Sequence, residues 1–193
     1  MKRVIALAGL LSLASTPAIA EEREYTFDKS HTSIRATWDH QGFSMMALQL
    51  TDYDGSITID LDEPSQNAVS VTFNLAGGIW AGAEQDRFLS HLASADLLNL
   101  DAFPTASFEA TEFVTEDGQT GTMIGDLTLL GQTHPVSMFV ELRKAADIDG
   151  GHKIGVTANT TISRSEWGLT YAVPHVSDWI AITIEAELVS TDD

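Results

Sequence analysis

The stretch Trp179-Ile180-Ala181-Ile182-Thr183-Ile184-Glu185-Ala186-Glu187-Leu188 decides the fold. Successive side chains of an extended strand point to opposite sides, so Ile180, Ile182, Ile184, Ala186 and Leu188 share one face. Ala181, Thr183, Glu185 and Glu187 share the other, and by the same parity Trp179 lies outside or at a rim, where its N–H stays wet. The alternation recurs throughout the chain. Ile34, Ala36 and Trp38 form one face against Ser33, Arg35 and Thr37; Ile57, Ile59 and Leu61 alternate with Ser56, Thr58 and Asp60. Val69, Val71, Phe73 and Leu75 repeat the pattern, as do Val136, Met138, Val140 and Leu142, and then Ile154, Val156, Ala158 and Ile162. Turn signals stand between these runs at Asp54-Gly55, Glu116-Asp117-Gly118 and Asp149-Gly150-Gly151.

A strand with one apolar and one wet face fits antiparallel pairing with solvent on one side. One segment breaks the rule: from Ala83 to about Asn99, Phe88, Leu89, Leu92, Ala95 and Leu98 fall at helical spacing. Phe103-Pro104 ends it, since the residue before proline is pushed toward extended geometry. The expected fold is mainly β, a single antiparallel lipocalin-like barrel of about eight strands with one helix packed beside it. A two-sheet sandwich has the same alternation, but closure removes exposed edges. Alternation alone does not separate a filled barrel from a hollow one.

Composition sets further bounds. Lys2 and Arg3, an apolar run from Val4 to Leu13, and Ala18-Ile19-Ala20 read as a signal peptide over residues 1–20, with the domain occupying 21–193. The run is too short for a membrane-spanning helix, which needs about 20 apolar residues. All 28 acidic residues but only eight of the 10 basic ones follow it, so the remainder carries a formal charge of −20. Such a surface cannot neutralise phosphates in number, which excludes nucleic acid as a partner. An anionic headgroup would need a local exception such as Arg87 or Arg164. With no cysteine, neither a disulfide nor a thiol-linked lipid is available, and the core holds the fold alone.

Several motifs in order resemble one family. Asp28-Lys29-Ser30-His31-Thr32-Ser33-Ile34 with Asp39-His40 opens the series. Asp86-Arg87, His91-Leu92-x-Ser94-x-Asp96 and Phe103-Pro104-Thr105-x-x-Phe108 follow. Gly125-Asp126-Leu127-Thr128-Leu129-x-Gly131-x-Thr133-x-Pro135-Val136, Arg164-Ser165-x-Trp167-Gly168-Leu169 and Val176-Ser177-Asp178 complete it. From Tyr25 to about Leu188 this resembles the YceI-like, polyisoprenoid-binding proteins of bacterial periplasms. The chain departs from that pattern at Glu84-Gln85, at Leu97-Leu98 and at His134. The resemblance implies a periplasmic barrel whose apolar tunnel sequesters a long isoprenoid, of polyprenyl phosphate or quinone type, without turnover. It implies no cofactor beyond such a ligand, no stable membrane insertion, and transient contact with a membrane donor or acceptor protein. Two rivals stand beside it: a filled-core module that binds another protein, and a barrel enzyme acting on a small hydrophobic substrate.

Within that reading the candidate ligand contacts are Trp38, Phe73, Phe88, Phe108, Phe139, Trp167 and Tyr171, each of which also reads as ordinary barrel core. Arg87 and His91, four residues apart on the helix, share a face. They read either as part of a polar cluster with Asp86 and Asp96 that docks the helix, or as headgroup contacts at a tunnel mouth. No catalytic residue is assigned. Ser90-His91 and Ser163-Arg164 lack the spacing of a nucleophile, base and orienting acid. No metal site is assigned either, because His31 and His40, nine residues apart along one strand, point to opposite faces.

Overall fold

The computed structural model describes residues 22–148 and 151–192. The leader expected over residues 1–20 and the Asp149-Gly150 part of one turn signal lie outside them. Strands β1 (Arg23–Phe27), β4 (Tyr53–Ile59), β5 (Ala68–Asn74), β7 (Thr105–Thr115), β8 (Thr120–Leu129), β9 (Gln132–Ile148), β10 (Gly151–Ser163) and β11 (Trp179–Ser190) pair antiparallel in that order. Tyr25 opposite Ser190 and Phe27 opposite Leu188 join β1 to β11 and close an eight-stranded barrel. Three more strands, β2 (Ser33–His40), β3 (Ser44–Leu50) and β6 (Ile79–Trp80), form a flap on it. The flap hangs from the first half of β11, where Ala181 to Glu185 pair with Thr37 to Ser33.

Apolar residues of one parity face inward and wet residues outward, so the alternation of the sequence becomes the wall of the barrel. Two irregularities bend it. A bulge between Ala110 and Glu112 shifts the parity of β7, so that Phe108 and Phe113 both face in. A second lies between Gly155 and Val156 of β10. The turn expected at Asp54-Gly55 is instead the interior of β4, which follows β3 across Thr51-Asp52 without a reversal, the two strands running in the same direction. Gly55 belongs there for close approach: a Cβ at that position would stand 2.0 Å from the Ser70 carbonyl oxygen of β5. Glu116-Asp117-Gly118 is a turn as read, with Gly118 at φ 68°.

The helix is shorter than its periodicity suggests. α1 covers Gln85–Leu92, and the chain then folds back, with Leu98 N–H donating to the Leu92 carbonyl at 2.9 Å and Leu100 N–H to that of Ala93 at 3.1 Å. This turn replaces further helix because it brings Leu98 and Leu100, with Leu89 and Leu92, onto Leu75, Ile79 and Ala106 at the barrel end.

Candidate binding lumen

The barrel is hollow. A cavity of about 340 Å³ runs through it, within the range of about 300–1,000 Å³ typical of small-molecule pockets. Its wall is the inward parity of the strands: Ile57 and Ile59, Val69 to Phe73, Val136 to Leu142, Ile154 to Ala158, and Ile180 to Leu188. Along β11 it is lined from Ile180 to Leu188, a run of about 26 Å at about 3.3 Å per residue. Ile180, Ile182 and Ile184 point inward yet are only half-buried, because they front open space rather than a packed partner.

The two ends differ. α1 and the turn after it pack across one end through Leu89, Leu92, Leu98 and Leu100. At the other, the lumen reaches the surface between the β4–β5 connection and the β7–β8 hairpin. Asp60, Leu61, Pro64 and Asn67 form one lip, and Val114, Thr115, Gly118, Gln119 and Thr120 the other.

Residues 25–188 match the YceI-like domain. The chain belongs to the YceI-like family. It is 33% identical over 188 residues to the UPF0312 protein of Serratia proteamaculans, covering 96% of each chain. Among solved structures, the Campylobacter jejuni YCEI protein matches with a TM-score of 0.71 at 24% identity, over 80% of this chain and 90% of that one. A polyisoprenoid binding domain from Saccharophagus degradans matches with a TM-score of 0.64 at 9% identity, over 86% and 98%. At these identities both likenesses speak to the fold.

In this YceI-like barrel the residues singled out from the sequence separate. Phe73 and Phe108 line the lumen. Trp38 and Phe88 stack at 6.1 Å with their planes 11° apart and fasten α1 to β2. Trp167, 1% exposed, is packed core; its Nε1–H donates to the Leu127 carbonyl at 3.1 Å and its ring meets His134 edge-on. Phe139, 51% exposed, stands on the outer face of β9, as its parity beside Met138 and Val140 requires. Tyr171 is exposed and meets His91 edge-on at 5.5 Å. Arg87 and His91 are exposed on α1 at the closed end, and among the described residues no hydrogen bond or ion pair ties them to Asp86 or Asp96. Trp179 is exposed, as its odd parity predicts.

The wall that sequence reasoning passed over is aliphatic. Parity already marked Val140, Leu142 and Ile182, but they are less conspicuous than aromatics. Phe113 carried no such mark, because the β7 bulge reverses its parity.

Two polar clusters lie apart from the lumen. Arg164, 5% exposed, donates to four carbonyls: Nε to Ser177 at 2.9 Å, Nη1 to Leu169 at 2.6 Å, and Nη2 to Tyr171 and Val176 at 2.9 and 3.0 Å. Burial pushes its guanidinium below its ordinary pKa while Asp178 opposes the shift. It ties the loop between β10 and β11 and has no free face for a headgroup. Asp28, His31 and Glu187 bring potential metal-ligating atoms within 4.8 Å of one another. His31 lies in the turn before β2, not on the strand with His40. Lys153 Nζ sits 3.2 Å from Asp28 Oδ2 and 2.5 Å from Glu187 Oε2, so an ammonium already takes the cation's place.

Proposed function

We propose that this protein is an exported, periplasmic carrier that sequesters a long-chain isoprenoid lipid in its lumen and releases it unchanged. The observation that carries the reading is the lumen itself: long, narrow, walled mainly by aliphatic and aromatic carbon, with its polar lining, Thr160 apart, gathered at one end. A chain-like apolar ligand suits that shape, and its polar head would rest at the lip. The shared fold of a domain known to bind polyisoprenoids adds support. Each buried methylene contributes ~0.8 kcal/mol gross, against a ceiling of roughly 18 to 21 kcal/mol for non-covalent binding. Affinity therefore says little about tail length, and lumen volume says more. A cavity of this size counts against the filled-core alternative. Export is supported by the leader-like first twenty residues. Among the described residues no helix is long and apolar enough to cross a membrane.

The test is solvent extraction of purified protein followed by mass spectrometry. A co-purifying lipid with an isoprenoid tail is the expected result. Protein that carries none, and takes up none when offered prenyl lipids, would defeat the reading.

A further inference from the structure

The lip of the lumen has a charge character that bears on the headgroup. Among the described residues lining the cavity there is no lysine, arginine or histidine, and Asp60 is the sole ionisable one. Its carboxylate is held in place. Oδ1 accepts the Asp62 and Glu63 N–H groups at 2.9 Å each, and the Asp60 N–H donates to Asn67 Oδ1 at 2.7 Å. The rest of the lip offers amides and hydroxyls, from Asn67, Thr115, Gln119 and Thr120.

Cations at this end of the barrel are engaged or turned away. Arg23 faces Asp147 at 4.0 Å, and Lys153 is bound to Asp28 and Glu187. Lys144 pairs with Gly155, between the lumen-lining Ile154 and Val156, and so sits on the outer face. At the opposite end α1 and its turn pack across the lumen with leucine side chains, so among the described residues this lip is where a polar head meets a cluster of polar groups. Phosphate sites are built from guanidinium, ammonium or clustered backbone N–H donors. Here a phosphate would stand against a fixed carboxylate, in the field of a strongly acidic chain.

We propose that the lumen selects lipids with an uncharged, hydrogen-bonding head, of the prenyl alcohol or quinone class, and that Asp60 excludes phosphorylated ones. This rests on the carrier reading above. Stripped full-length protein would be titrated with a prenyl alcohol and with its monophosphate of the same chain length, in the same neutral detergent. Binding would be read by native mass spectrometry and by displacement of a fluorescent apolar probe. The alcohol should bind at least about tenfold more tightly, as expected for one uncompensated charge contact. Asp60→Asn keeps an oxygen to accept the same two N–H groups. It should tighten the phosphate several-fold relative to the alcohol. Phosphate binding equal to or tighter than the alcohol, or a ratio unmoved in Asp60→Asn, would overturn the selectivity while leaving the carrier intact. Binding of neither ligand would instead overturn the carrier reading.

Discussion

Arg164 shows how one side chain fixes a loop without a direct ion pair. Its donors satisfy carbonyls that would otherwise be buried without partners, and Asp178, accepting from Ser165 N–H and Oγ–H, completes the cluster. Arg164→Met should therefore lose about 2–4 kcal/mol in denaturant unfolding, and Arg164→Lys should recover only part of it, because an ammonium lacks the planar fork. Asp28 works differently. Hydrogen bonds from Ser30 and His31 hold its carboxyl well below the ordinary value of 3.8, with Lys153 adding to them. A depressed carboxylate stabilises the fold above its unfolded pKa and loses that contribution as pH falls toward the folded one. The Lys153 ammonium, raised by Glu187 and Asp28, contributes fully below 10.5 and loses its share only as pH rises beyond that. The Tm gap between wild type and Asp28→Asn should thus be flat from about pH 5 to 9 and shrink below about pH 4. A gap that holds or widens in acid would contradict this assignment.

At the scale of the element, strand pairing overrode two local signals. Asp54-Gly55 has the chemistry of a hairpin turn, yet Gly55 lies opposite Val71 in the β4–β5 ladder. Its missing side chain lets the strands meet, because a Cβ would strike backbone rather than a movable side chain. Gly55→Ala should destabilise by about 1–3 kcal/mol in chemical unfolding, as overpacking does elsewhere. A neutral or stabilising effect would show that the strands separate more easily than this contact implies. α1 stops at Leu92 for a related reason: a straight continuation would carry Leu98 and Leu100 away from the barrel end they close.

At the scale of the molecule, eight strands close around more space than their side chains fill. Ala158, 4% exposed and opposite both Val140 and Ile184, stands on the lumen wall midway along β10. Ala158→Phe should occupy the cavity and abolish lipid retention in the extraction assay while leaving Tm equal or higher, since filling a void adds contacts. Lipid retained at wild-type levels would place the ligand elsewhere. The flap of β2, β3 and β6 pairs along the first half of β11 and adds Ile34, Ala36, Leu48, Leu50 and Ile79 to the lumen wall there.

Alternation, turn residues and the helical break were legible in the sequence because they are local. A period of two states which side chains share a face, and closure follows from the need to hide strand edges. The inward aliphatic set from Ile57 to Leu188 could be read this way before any coordinates. Hollowness could not, since it depends on how side-chain volumes from eight strands add up across a shared interior. Nor could the parity reversal at Phe113, which one bulge decides, or the dispersal of Trp38, Phe88, Phe139, Trp167 and Tyr171 into clamp, core and surface. Aromatic identity marks apolar bulk but not direction. Which end of the lumen is closed, and that Asp60 stands at the other, is set by contacts between segments distant in sequence, and these only the tertiary structure decides.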